Sequence, residues 1–212
     1  MPIPMTRQDT ALTGSASVIP SGVHTFETIE SHTAGNPTRT VLSGVPNLTG
    51  ATMLAKMHDL RGNHDWIRTA LMFEPRGSSV MSGCVLTEPC DNRADVGVVF
   101  IESSGYPPMC GHDTIGLITV LIQTGRLAAN GSTAAITLDT PAGLVSTEAT
   151  IVGGRVTGVS FNSTPSFLMH RDFRVHVDGT GEVTLDIAWG GNFYAIVDAS
   201  SVRIDLDDEH VG

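Results

Sequence analysis

Positive charge is scarce in this chain: 12 Lys and Arg stand against 22 Asp and Glu, a formal net charge of −10 over 212 residues. No basic stripe offsets the deficit, so neither a nucleic-acid partner nor an anionic membrane surface is expected. No run of about 18 apolar residues exists, which excludes a membrane-spanning helix. Cysteine is rarer still. Cys84, Cys90 and Cys110 follow no metal-ligand spacing, and any disulfide would leave one over, so a reducing, cytoplasmic setting fits best. There is no P-loop, no Rossmann glycine pattern after a strand, no His-Glu-x-x-His pair and no internal repeat.

Aromatic residues are also few, at 5%, while the 23 glycines and the Thr/Val-rich runs point to many strands and turns. Met1 to Gly22 lack the charged-then-apolar order of a secretory leader, and residues 1–23 are expected to be a loose, flexible tail. From His24 on, Thr25–Ile29 and Thr40–Leu42 have strand composition, with Ser31 to Arg39 between them as a polar turn carrying Gly35 and Pro37. His32 and Arg39 are read there as structural first, because turn His and Arg more often satisfy backbone and carboxylate partners than do chemistry. Met53, Leu54, Met57 and Leu60, then Trp66, Ile67, Ala70 and Leu71, recur at helical spacing and predict two short helices separated by Gly62-Asn63, their Met residues serving as core. Val80–Leu86 and Val96–Ile101 read as strands, the second a continuous apolar run of the buried kind. Cys84 is read as a small core residue and Cys90 as a loop residue.

One stretch organises the rest. Gly105, Pro107 and Pro108 force a turn, and from Ile115 to Ile122 a largely apolar segment runs to a stop at Gly125, so Cys110 is expected at a turn-to-helix junction. Unpaired backbone N–H groups and the positive end of the helix dipole should stabilise its thiolate, and the same N–H groups can hold a carboxylate. With His112 two positions on, the thiol could be a nucleophile with a base, a redox thiol or an acid/base thiol; a buried free Cys is the plain alternative. After this helix come short strands near 135–138, 144–150, 155–161, 173–177, 183–187 and 193–197, separated by Gly- or Pro-bearing turns. Gly179-Thr-Gly181 is read as a hairpin turn. The expected fold class is α+β: a curved, mostly antiparallel sheet wrapped around one central helix.

The segments Met109-Cys-Gly-His-Asp-Thr-Ile-Gly116, Ser31-His-Thr-Ala-Gly-Asn-Pro-Thr-Arg39, Phe73-Glu-Pro-Arg-Gly77, Asp139-Thr-Pro-Ala-Gly143 and Asp186-Ile-Ala-Trp-Gly-Gly191 together resemble the proline racemase family, in order, from about Phe26 to Ala199. That family includes 4-hydroxyproline 2-epimerases and trans-3-hydroxy-L-proline dehydratases. The resemblance implies a cofactor-independent enzyme with the diaminopimelate epimerase fold, two similar halves each wrapping a sheet around a helix, with one base from each half. Cys110 matches the first base, which abstracts the Cα proton, and Gly111 and His112 match positions that hold the substrate, a small imino acid such as proline or hydroxyproline. Residues 24–199 are then one N-terminal domain, and 200–212 the start of a second half or an acidic tail.

Three departures from the family pattern follow from the resemblance. The second motif, Asp-Arg-Ser-Pro-Cys-Gly-Thr-Gly-Thr or its Thr variant, should lie well beyond residue 212, so the second half is expected to be truncated and a homodimer could supply the second thiol. Asp113 stands where relatives usually carry a small or neutral residue, and a carboxylate there should weaken carboxylate binding or raise the thiol's pKa. Ser82 falls where proline racemases carry an aromatic, and a smaller polar side chain leaves room for a ring hydroxyl; Ser82 is therefore read as substrate-binding and tilts the reading toward hydroxyproline. A 3-hydroxyproline dehydratase, which needs no second thiol, and a catalytically inactive half-protein that binds an imino acid or a partner chain are the two alternatives.

Overall fold

The computed structural model describes residues 23–129 and 131–205. The tail expected over 1–23 lies outside the described residues but for Val23, and so does the acidic end from residue 206. The described residues belong to two compact units that divide between Ser163 and Thr164.

In the first unit, β1 (Glu27–Thr33) and β2 (Asn36–Ser43) form a hairpin. Ala34 and Gly35 join them with φ of 50° and 93°, the left-handed pair that a two-residue hairpin turn requires. The polar turn expected over Ser31 to Arg39 thus shrinks to two residues. The others find ladder partners, His32 opposite Pro37 and Thr33 opposite Asn36. Pro37 is tolerated because β2 begins to pair with its other neighbour only at Thr38.

Next come α1 (Met53–Asn63), capped by Thr52 Oγ1 accepting from the Ala55 N–H at 3.1 Å, and α2 (Asp65–Met72). The break between the helices falls at His64, not at Gly62-Asn63, which stay helical. Strands β3 (Ser82–Thr87) and β4 (Val96–Glu102), helix α3 (Gly111–Gln123), and strands β5 (Thr133–Thr140), β6 (Gly143–Val152) and β7 (Arg155–Asn162) complete the unit. The seven strands lie in sequence order in one mixed sheet. β2–β3 and β4–β5 are parallel and the other four pairs antiparallel. The fold is α+β, mostly antiparallel, as the strand spacing implied.

Strand β4 explains the layering. Val96, Val98 and Phe100 pack with Leu117, Ile118 and Leu121 of α3, while Val99 and Ile101 pack with Met57, Leu60, Ile67 and Met72 of α1 and α2. Successive residues of a strand face opposite ways, so a strand covered on both sides must be apolar throughout. Helix α3 is accordingly buried on most of its surface, with Asp113, Thr114, Gly116, Leu117, Ile118, Val120 and Leu121 inside. Gly125, at φ 70°, ends it.

The second unit holds β8 (Phe167–Val177), β9 (Gly181–Trp189) and β10 (Phe193–Val197), ordered β10-β9-β8. These strands form their own antiparallel sheet instead of continuing the first. Strand β8 starts at Phe167, six residues earlier than composition suggested, because two irregularities in its pairing carry the ladder past the charged His170–Asp172 stretch. Register places Phe167, Trp189 and Phe193 in one row and Phe173, Leu185 and Val197 in another of the same face. That face is apolar but for His170 opposite Ile187, and Phe167, Phe173 and Phe193 are 53%, 43% and 60% exposed.

Candidate active site

The site forms where the turn after β4 enters α3. Cys110 is the residue before the first helical one, with extended backbone (φ −137°, ψ 119°). By position the N–H groups of Gly111 and His112 have no partner within the helix. Gly111 sits in tight space: a Cβ there would lie 3.1 Å from Phe161 Cζ on β7, so the ring would have to shift by a few tenths of an ångström to admit one. The first turn is further pinned by Thr114, whose hydroxyl donates to the Cys110 carbonyl at 2.8 Å. Thr33, at the end of β1, donates its hydroxyl to the His112 carbonyl at 2.9 Å.

Around the thiol, His112 Nδ1 stands 3.3 Å from Cys110 Sγ, and its Nε2 is 3.1 Å from Asn36 Nδ2 and 3.3 Å from Asp113 Oδ1. Asp113 is fully buried. Ser82 on β3 donates its hydroxyl to Asp113 Oδ2 at 2.5 Å, whereas Oδ1 has no hydrogen-bond partner. The hairpin β1–β2, strand β3 and the start of α3 therefore converge on Cys110. Ser82 is itself 4% exposed, so its hydroxyl reaches the thiol's surroundings through Asp113.

The thiol's charge state differs from the expectation drawn from the helix terminus. Cys110 is pushed up from 9.0 to about 12, first by burial and then by the negative charge of Asp113; the backbone N–H of Asp113 acts the other way. A rise of that size is worth roughly 4 kcal/mol against the thiolate, whereas a helix terminus contributes about 0.3–1 kcal/mol in its favour. Desolvation wins. Burial also pushes Asp113 itself up, opposed by the Ser82 hydroxyl and His112. Cys84, on β3 and fully buried, is driven well above the usual thiol range by burial first and then by Asp113.

The remaining candidates sit elsewhere and have structural partners. His32 Nδ1 accepts from the Gly35 N–H at 3.1 Å, and Arg39 Nε donates to Glu30 at 2.8 Å while its Nη1 donates to the Leu71 carbonyl. Asp139 Oδ2 accepts from the backbone N–H groups of Cys90 and Asp91 at 2.7 and 2.8 Å and so closes the loop before β4. A cavity of about 610 Å³ lined by Leu48, Lys56, Leu86, Leu121 and Leu127 lies by the far end of α3. Lys56 there is held by the Glu88 carbonyl at 2.6 Å, and Cys110, His112 and Asp113 are not among the residues that line this cavity. Sequence reasoning missed Thr33 and Asn36 as neighbours of His112, although both lie within the Ser31–Arg39 segment; the hairpin register is what brings them there.

Residues 28–212 match the family described as proline racemase. The chain belongs to the proline racemase family. It is 46% identical over 185 residues to the 4-hydroxyproline 2-epimerase of Streptosporangium roseum, an overlap of 87% of this chain and 56% of that protein. To the 4-hydroxyproline epimerase of Brucella ovis it is 45% identical over 185 residues, covering 87% and 55% of the two chains. Among solved structures, a hydroxyproline epimerase from Agrobacterium vitis with bound trans-4-hydroxy-L-proline superposes with a TM-score of 0.80 at 27% identity, over 87% of this chain and 54% of that one. This proline racemase family member thus spans about half the length of the curated relatives it matches. Among its described residues, no helix is long and apolar enough to cross a membrane.

Proposed function

We propose that this chain carries the Cys110 half of a cofactor-independent epimerase or racemase acting on hydroxyproline or proline. The observation that carries the reading is the thiol at the start of α3 beside two N–H groups without intrahelical partners. They form a cradle for the substrate carboxylate, and negative charge that develops at Cα and spreads onto that carboxylate is stabilised there. Cys110 takes the Cα proton in one direction and returns it in the other. Held near 12, the free thiol is protonated at neutral pH, so it is in the proton-donating state when the substrate arrives. His112 Nδ1, 3.3 Å from the sulfur, is the group through which that proton exchanges.

A two-base epimerisation needs a second acid or base on the opposite face of Cα. In this proposal it comes from a second copy of the chain, whose Cys110 faces the first across a shared site. Hydroxyproline is favoured over proline because the relatives at 45–46% identity bear that name. The test is deuterium incorporation at Cα of 4-hydroxyproline in D₂O by the wild-type chain and Cys110→Ala, with chiral analysis of the product. Exchange that depends on Cys110 is expected, and undiminished exchange in Cys110→Ala would sink the proposal. Binding of the imino acid without any exchange would instead support a catalytically inactive protein that binds an imino acid, a second reading favoured by the protonated thiol.

A further inference from the structure

Three donors of different chemistry stand together at the start of α3. Cys110 Sγ, one ring nitrogen of His112 and one carboxylate oxygen of Asp113 all lie within 4.8 Å of one another. One separation, Sγ to Nδ1 at 3.3 Å, is already close to the roughly 3.3–3.6 Å between ligands of a tetrahedral site with Zn–S of about 2.3 Å and Zn–N of about 2.0 Å. An independent sign comes from Asp113. Its side chain is fully buried, Oδ2 is occupied by Ser82, and Oδ1 faces the cluster with no hydrogen-bond partner. A buried carboxylate oxygen without a hydrogen bond, whose ion-pair contact is His112 Nε2 at 3.3 Å, is costly, and a directly bound cation would offset that cost.

We propose that Cys110, His112 and Asp113 form a site for one soft divalent cation of the zinc or cadmium kind, with water in the open fourth position. Sulfur and imidazole donors select such an ion over magnesium or calcium. On binding, the Cys110 S–H bond breaks heterolytically, the proton leaves to solvent, and the sulfur electron pair forms the bond to the metal; nothing is oxidised or reduced. The Asn36 amide orients the ring: with its oxygen turned to the Nε2–H, Nδ1 is left free to bind the ion. The His112 side chain, a quarter exposed, gives the route in. The positive helix terminus opposes the cation, but its effect is weak beside two directly bound anionic groups. A bound cation occupies the sulfur that the epimerase reading uses as acid and base, so it would act as a reversible inhibitor. Cation binding itself does not depend on that reading.

Titration of the metal-free chain with Cd²⁺, followed by the ultraviolet thiolate-to-cadmium charge-transfer band, tests the site directly. One equivalent is expected, with the band abolished in Cys110→Ser. The dissociation constant should rise at least about tenfold in Asp113→Asn and in His112→Gln, each variant checked for an unchanged circular dichroism spectrum. Cys90→Ser should bind as the wild type does; Cys90 is the exposed thiol, 3.9 Å from Met53 Sδ, and is the competing soft site. Absence of a band in the wild type, a band that survives Cys110→Ser, or unchanged affinity in both Asp113→Asn and His112→Gln would overturn the assignment. Exchange at Cα, measured without added metal, reports on the epimerase reading separately.

Discussion

Replacing Asp113 by Asn should make Cys110 more reactive, and the size of the change follows from what surrounds the sulfur. Burial and the Asp113 charge together lift the thiol from 9.0 to about 12, burial being the larger cause. Near pH 8 an ordinary thiol of that starting value is about 10% thiolate, and Cys110 is on the order of 0.01%. Alkylation follows the thiolate fraction, so Cys110 should react with iodoacetamide about a thousandfold more slowly than an unperturbed thiol. Asp113→Asn removes the like charge and leaves the burial. The gain should therefore be on the order of tenfold and not the full thousandfold. Its sign depends on pH. Below the raised pKa of Asp113 the carboxyl is neutral and the two proteins should react alike; above it the carboxylate opposes the thiolate only in the wild type, so the difference opens as pH rises. Peptide-resolved mass spectrometry separates Cys110 from the exposed Cys90, which serves as the internal fast standard, and from the buried Cys84. A Cys110 that alkylates in the wild type as fast as Cys90, or an Asp113→Asn variant no faster at any pH, would refute the reasoning.

Two further outcomes follow from the same structure. Because the folded-state pKa of Asp113 is raised above its ordinary 3.8, its contribution to stability is present below about that value and is lost as pH rises through the raised pKa. Urea unfolding across this range should show the wild type losing stability relative to Asp113→Asn; a pH-independent difference between the two would contradict it. Arg68 on α2 donates to Asp65 at 2.8 and 3.1 Å and to the Glu102 and Ser103 carbonyls at 3.0 and 2.9 Å, with its guanidinium 5.4 Å from the Phe73 ring centre and 5.5 Å from that of Tyr106. Arg68→Ala should cost about 1–3 kcal/mol in chemical denaturation, since it takes the guanidinium donors from the Ser103 and Glu102 carbonyls, while Asp65 keeps the Tyr106 hydroxyl and Glu102 keeps the Gly105 N–H; a loss below about 0.5 kcal/mol would show that the network is not holding α2 to the end of β4.

Much of the first unit was legible because its signals are local. Gly105 and the two prolines before Cys110, the apolar run after it and the stop at Gly125 are neighbours in sequence, so the start and end of α3 could be read directly. The buried run of β4 likewise announced a strand covered on both faces. Reading failed where pairing decided: Ser31 to Arg39 has the composition of a turn, yet the hairpin ladder holds all but Ala34 and Gly35 in strands. It failed again in β8, whose charged middle hid a strand that its neighbour β9 completes. The roles of Thr33 and Asn36 were out of reach for the same reason, since both touch His112 across nearly eighty positions of chain, 79 and 76.

What the sequence determined by itself was the place of Cys110 at a helix start, the family pattern around it and the α+β class, because turn punctuation and apolar periodicity act over a few residues. Only the tertiary structure decided the chemistry of that thiol. The helix terminus is a local favour to the thiolate. The burial against Phe100, Leu117 and Phe161, and a carboxyl oriented by Ser82 from 31 positions away, are long-range and outweigh it. Solvent exclusion depends on everything that packs around an atom, and no short stretch of sequence contains that information.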